Sequence, residues 1–127
     1  SNFGSSRGAE AKTVSEAVDH LHQYHPEIIV DGDVQANFAL NGDLLKEVFP
    51  FSHLVDKKVN TLIFPNLSSG NIAYKLIQEM SKVDSIGPVL LGMKKSFQVL
   101  QLGSSVREIV NMVSIAAVQA QSVKDND

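Results

Sequence analysis

Three groups of residues in this 127-residue sequence are of types that do chemistry. The stretch Gly4-Ser5-Ser6-Arg7-Gly8 sets two hydroxyls and a guanidinium among backbone N–H groups, a donor set that suits phosphate. Short Gly/Ser stretches also serve as plain connections, so both readings stand. Glu108 follows the loop Gln101-Leu102-Gly103 and is a carboxylate of the kind that serves as a base. It also stands third after Ser105 in Ser105-Val106-Arg107-Glu108, a capping box that would use the same carboxylate to close a helix start. Four histidines, His20, His22, His25 and His53, raise the question of a metal. No two are four apart, and His53 lies far along the chain, so the spacing predicts a solvated helix flank and no metal ligand. Asp31-Gly32-Asp33 resembles the opening of a calcium loop but lacks the later ligands and the closing Glu, and reads as a turn. Neither nucleotide-binding glycine pattern occurs. Lys94 and Lys95 fall in a short turn and need no role beyond solubility.

The elements that would position these groups alternate between strand and helix. Residues 1–12 read as loop. Thr13-Val14-Ser15-Glu16 is a second capping box, and Val14, Ala17, Val18 and Leu21 recur at helical spacing as far as Tyr24, before Pro26. The apolar run Ile28-Ile29-Val30 predicts a short strand buried on both faces. Two short helices fill residues 35–48, with Asn41 capping the second, and residues 51–60 make a polar connection. Residues 61–64 predict a second strand. A helix capped by Ser68 or Ser69 follows, with Ile72, Ala73, Leu76, Ile77 and Met80 on one face. Residues 86–91 and 97–101 predict two further strands, antiparallel because so short a link cannot hold a crossover. The last helix begins at Ser105 and runs to about Gln121, with Val106, Ile109, Val110, Val113 and Ala117 as its inner stripe. Met112, Ile115 and Val118 lie elsewhere around it, and a helix apolar on two sides needs a second partner. Residues 122–127 read as a frayed tail. The expected fold class is α/β, a single domain over 1–127.

Composition narrows the classes of function. Eleven basic against fourteen acidic residues give a net charge of -3 with no basic stripe, which disfavours a nucleic-acid partner. The absence of cysteine removes disulfides and thiolate metal sites and fits a reducing compartment. Apolar runs fall far short of the roughly 20 residues that span a bilayer, so no membrane segment is expected and the cytoplasm is the default. The abrupt Gly/Ser-rich opening without a Met reads as a piece of a longer protein.

Taken together, the motifs resemble a known family. Ile29-Val30-Asp31-Gly32-Asp33-Val34-Gln35, Ile63-Phe64-Pro65-Asn66-Leu67, Gly70-Asn71-Ile72-Ala73-Tyr74-Lys75, Ile86-Gly87-Pro88, Gly92-Met93-Lys94-Lys95, Gly103 and Val118-Gln119-Ala120-Gln121 are similar, in collinear order, to the C-terminal part of phosphate acetyltransferases. Ser1-Asn2-Phe3-Gly4-Ser5-Ser6-Arg7-Gly8, Phe49-Pro50-Phe51-Ser52 and Val106-Arg107-Glu108-Ile109-Val110-Asn111-Met112 resemble the branch fused behind bacterial NADP-dependent malic enzymes.

The resemblance implies one lobe of an isocitrate/isopropylmalate dehydrogenase-like fold: a short, mostly parallel sheet with an antiparallel hairpin, flanked by helices. It implies a cleft bordered by Pro65 to Asn71 and by Gly87-Pro88, with ligand contacts at Ser5, Ser6, Arg7, Asn71, Gly87, Pro88, Gln101 and Gly103. Family members carry Ser-Arg-Gly before the last helix. The Arg holds phosphate or thioester, and an acidic residue six positions later is the proposed base for the CoA thiol. Here Gln101, Leu102 and Gly103 stand in that motif and Glu108 at the acidic position, so Gln101, Leu102 and Glu108 are vestigial catalytic positions. Leucine neither pairs with phosphate nor stabilises an oxyanion, a loss of a few kcal/mol in the transition state.

The implied function is a catalytically silent regulatory and oligomerisation module of a malic enzyme, with acetyl-CoA as effector. NADP and a divalent metal (Mg or Mn) would serve the parent, and no cofactor this chain. Its partners would be the missing N-terminal lobe, the malic-enzyme domain and further copies docked through the C-terminal helix. The alternative is part of an active phosphate acetyltransferase, exchanging acetyl between acetyl phosphate and CoA.

Overall fold

The computed structural model describes residues 1–81 and 85–124, in two compact units, Ser1–Lys75 and Leu76–Asp127. Five helices occur in order: α1 Ala9–Tyr24, α2 Ala36–Leu40, α3 Gly42–Val48, α4 Leu67–Ser81 and α5 Val106–Lys124. No strand is present among the described residues, which overturns the expected α/β lobe with a parallel sheet and hairpin. Residues 28–30, 61–64, 86–91 and 97–101 are apolar enough for strands but form no ladder. A ladder needs backbone groups facing each other across two segments, and here side chains take some of those groups. His22 Nε2 donates to the Val30 carbonyl at 2.8 Å. The Leu90 N–H donates to Gln98 Oε1 at 3.2 Å.

In the first unit, the core is small and draws on α1, α2 and α3. Val18, Ala39 and Leu45 are its buried apolar residues. Beside them Phe3, Phe38, Phe49 and Phe51 form an aromatic cluster with ring centroids 5.0–6.0 Å apart, edge-on or tilted as the ring quadrupole favours. α1 starts five residues earlier than the sequence predicts. Its N-cap is Gly8, and Thr13 lies inside the helix with its hydroxyl donating to the Ala9 carbonyl at 3.0 Å. Ala9, Glu10, Ala11 and Lys12 are good helix formers, so the helix runs back through them and the Thr13 box is a false start. Asn41 does cap α3, accepting from the Leu44 N–H at 3.1 Å. α4 is capped by Asn66, whose side chain accepts from the Ser69 N–H at 2.9 Å, and not by Ser68 or Ser69. No residue of α4 is buried.

In the second unit, α5 presents the opposite face from the one its periodicity implied. Met112 is 4% exposed, whereas Val106, Val110 and Val113 are well exposed. Gln119 fixes this rotation, its Oε1 accepting from Gln98 Nε2 at 2.5 Å and from Ser96 Oγ at 3.3 Å. Hydrophobic spacing alone cannot choose between two apolar faces. Residues 122–124, expected as frayed tail, continue α5, and 125–127 lie outside the described residues.

Leu45, at 1% exposure, is the most deeply buried large side chain. Leu45→Ala should cost about 2–5 kcal/mol in urea unfolding. Leu40→Ala, at an exposed position of the neighbouring helix, should stay within about 0.5 kcal/mol.

Candidate functional site

The expected ligand residues fall into two sets, one in each unit. In the first unit Ser5, Ser6 and Arg7 lie on an exposed loop, but much of its donor capacity is spent on its own shape. The Asn2 N–H donates to Ser5 Oγ at 2.8 Å, the Ser6 N–H to Ser1 Oγ at 3.2 Å and the Gly8 N–H to Ser6 Oγ at 3.3 Å. The Gly4 N–H donates to Asp33 Oδ1 at 3.0 Å and the Phe3 N–H to the Asp33 carbonyl at 2.6 Å. What remains outward is the side-chain hydrogens of Ser5 and Ser6 and the Arg7 guanidinium. That set can meet an anion from one side but cannot wrap it with successive N–H groups. Asn71, in the first turns of α4, is also exposed.

The turn Asp31-Gly32-Asp33, which reads as bland in the sequence, organises this unit. Asp31 Oδ2 accepts from Ser52 Oγ at 2.7 Å and the His53 N–H at 2.8 Å, and its Oδ1 accepts from the Gly32 N–H at 2.9 Å. Gly32 has φ +151°, a backbone conformation that side chains resist, and glycine is needed for that reason. A Cβ there would make only ordinary contact with Val14 and Val18 on α1, at 3.8 Å. Asp33 is buried at 6% exposure, and its Oδ2 makes no hydrogen bond of normal geometry. Burial by itself would raise its pKa. The Ser1 hydroxyl, the Gly4 N–H, its own N–H and the positive N-terminus outweigh burial and hold the carboxyl below its ordinary range.

The histidines do not stay apart as their sequence positions imply. His53 Nδ1 lies 3.2 Å from His22 Nε2, with ring centroids 4.4 Å apart. His20 packs on Tyr24 at 4.5 Å, and His25 Nδ1 lies 3.3 Å from Glu27. Among the described residues no three His, Cys, Asp or Glu side chains gather to hold a metal ion.

In the second unit Gln101, Leu102, Gly103 and Ser104 form a β-turn closed by the Ser104 N–H donating to the Gln101 carbonyl at 3.2 Å. Gly103 has φ +87°, the value a type II turn requires at its third position and one that a side chain resists. Leu102 at the tip is fully exposed. Glu108 belongs to the capping box: its Oε2 accepts from the Ser105 N–H at 2.6 Å and Oγ at 2.9 Å, while its own N–H donates to Ser105 Oγ at 3.2 Å. The carboxylate is thus already engaged at the helix start. Gly87 and Pro88 lie on the extended segment, with Gly87 at φ +144°.

A family model described as phosphate acetyl/butaryl transferase matches residues 1–117. The chain belongs to the phosphate acetyl/butaryl transferase family. Within that family, similar relatives carry two kinds of name. The NADP-dependent malic enzyme of Haemophilus influenzae is 39% identical over 121 residues, 95% of this chain and 16% of the relative. The phosphate acetyltransferase of Clostridium acetobutylicum is 36% identical over 121 residues, 95% of this chain and 36% of the relative. That of Treponema pallidum is 42% identical over 107 residues, 84% of this chain and 32% of the relative. The chain therefore spans about a sixth of the malic enzyme and about a third of these acetyltransferases. No helix of the described residues is long and apolar enough to cross a membrane.

The depressed Asp33 pKa gives a pH prediction. A carboxyl whose folded-state pKa lies below its unfolded value adds stability above the unfolded value and loses it as pH falls through the folded one. The stability gap between wild type and Asp33→Asn should be constant at neutral pH. It should narrow once pH drops below the ordinary value of 3.8, as read by denaturant unfolding across that range.

Proposed function

We propose that this chain is the C-terminal, phosphate acetyltransferase-like module of an NADP-dependent malic enzyme, catalytically silent, binding acetyl-CoA as an effector and joining copies of the parent. The observation that carries the reading is position 102. The Gln101–Ser104 turn, which the resemblance implies would present an arginine to a phosphate or a thioester, presents leucine at its tip. Glu108, the acidic group of the same motif, is engaged in capping α5. Without a cation at 102 the negative charge of an acyl-transfer transition state lacks its main stabiliser, a loss of about 3–4 kcal/mol on the scale of one oxyanion-hole donor. Ser5, Ser6 and Arg7 keep polar groups that suit the phosphates of a coenzyme A. Asn71 of the first unit, and Gly87, Pro88, Gln101 and Gly103 of the second, are proposed as ligand-binding residues on the family resemblance alone. NADP and the divalent cation would be held by the rest of the parent.

The assembly part rests on α5. Val106, Val110, Val113, Ala117 and Ala120 alternate in steps of four and three on the exposed side of the helix, the spacing of a helix–helix seam. The chain exposes 10020 Å². A folded monomer of 13.8 kDa exposes about 6600 Å², and two separate bodies of the same total mass about 8000 Å². The surplus is the kind of surface that partners cover.

A second reading, part of an active phosphate acetyltransferase, is favoured by the similarity to enzymes of that name at 36–42% identity and by the retained acidic residue at Glu108. An assay of acetyl-CoA formation from acetyl phosphate and CoA on the full-length parent separates the two. The module reading expects no acetyl phosphate-dependent turnover, together with a shift in malic activity and measurable heat on acetyl-CoA titration. Turnover with acetyl phosphate would establish the second reading. Neither turnover nor binding would remove the effector role. For assembly, sedimentation of the parent should show an oligomer that Val113→Glu dissociates. A monomeric wild type would defeat it.

A further inference from the structure

Ser5, Ser6 and Arg7 sit on a loop without regular structure, so their usefulness depends on what holds that loop. Three successive residues before them are stitched to a segment about thirty positions away. Asn2 Oδ1 accepts from the Gln35 N–H at 2.7 Å, the Phe3 N–H donates to the Asp33 carbonyl at 2.6 Å, and the Gly4 N–H donates to Asp33 Oδ1 at 3.0 Å. Two of the three stitches end on Asp33. Phe3 and Gly4 both take left-handed backbone conformations, φ +46° and +83°. For Phe3 this conformation is strained and persists only where the surroundings impose it. Those surroundings are the Asp33 bonds on the backbone and the Phe49 and Phe51 rings, 5.0 and 5.1 Å from the Phe3 ring.

We propose that Asp33 is the positioning residue of the Ser5–Ser6–Arg7 loop: buried behind it, touching no ligand itself, it sets through Phe3 and Gly4 the direction in which the two hydroxyls and the guanidinium point. The need is mutual. A carboxylate at 6% exposure requires donors, since an ionised group without them is expensive to bury, and the loop supplies the Gly4 N–H. The loop closes its own turn, the Ser5 N–H donating to the Asn2 carbonyl at 3.0 Å, and Asp33 supplies two acceptors at fixed separation that tie this turn to the rest of the unit. The charge lies on the inner side of the loop, so Ser5, Ser6 and Arg7 remain exposed. The assignment rests on the proposed reading of this loop as the contact to the phosphates of a ligand.

The test combines amide hydrogen exchange with binding of inorganic phosphate by calorimetry, on the full-length protein as wild type, Asp33→Asn and Asp33→Ala. Asp33→Ala should speed exchange at Phe3 and Gly4 at least tenfold while amides of α1 and α3 keep their rates, and phosphate affinity should fall at least tenfold. Asp33→Asn, which keeps an oxygen at the same place without the charge, should fall between wild type and Asp33→Ala on both readouts. Unchanged exchange at Phe3 and Gly4 overturns the proposal, as does exchange that rises equally through α1 and α3, because the residue then holds the whole unit. If Asp33→Ala does not fold, Asp33→Asn decides: at least threefold faster exchange confined to residues 2–6 supports the role, and none overturns it. Loop release in a protein whose wild type takes up no phosphate supports Asp33 as what holds the loop and overturns the ligand reading of Ser5, Ser6 and Arg7.

Discussion

The first unit depends on two carboxylates placed on either side of one glycine. The Asp31 carboxylate reaches forward to Ser52 and the His53 backbone, and the Asp33 carboxylate reaches back to Gly4, while the Asp33 main-chain carbonyl accepts from Phe3. Between them these acidic groups bring together segments that no sheet joins. Each bond of this kind, with an ionised acceptor, is worth roughly twice a neutral one. In a core whose buried apolar members are Val18, Ala39 and Leu45, such bonds carry an unusual share of the specificity. Gly32 makes the arrangement feasible, because its φ of +151° is a conformation that residues with a Cβ rarely adopt.

The second unit solves the same problem with neutral amides. Gln98 offers its carbonyl to the Leu90 N–H and its amino group to Gln119, and Ser96 reaches the same Gln119 oxygen. This small network ties residues 90 and 96–98 to α5 and decides which side of the helix turns inward. Met112 is then buried and the Val106, Val110 and Val113 side is left open. Polar contacts therefore choose the rotation, and the exposed seam is a consequence of that choice.

What could be read from the sequence was mostly local. The Asn41 cap and the Ser105–Glu108 box involve partners three residues apart, and both form as read. The Thr13 box has the same pattern but does not form, because strong helix formers upstream extend α1 past it. The strands at 28–30, 61–64, 86–91 and 97–101 were read from apolar runs. Apolarity reports a wish for burial, while a strand also needs a backbone partner in register, which is a non-local fact. For the candidate site, the departure at Leu102 was plain from the motif. The partnership of Asp33 with Phe3 and Gly4, and that of His22 with His53, joins residues about thirty positions apart with no spacing rule to mark it.

Leu102 can be interpreted because the turn around it does not need it. A type II turn constrains its third position through φ and its ends through one hydrogen bond, and Gly103, Gln101 and Ser104 meet those demands. The second position tolerates most residues, and a fully exposed side chain there packs against little. Stability therefore gives no reason for leucine over arginine at this point, nor would arginine be costly to keep. The residue at the tip is free to answer to chemistry alone. On the reading proposed above, leucine at the tip leaves this turn without a cation to offer a phosphate or thioester, whereas Ser5, Ser6 and Arg7 remain exposed. Binding of an anionic ligand without its turnover would follow from that separation, since turnover needs contacts made in the transition state.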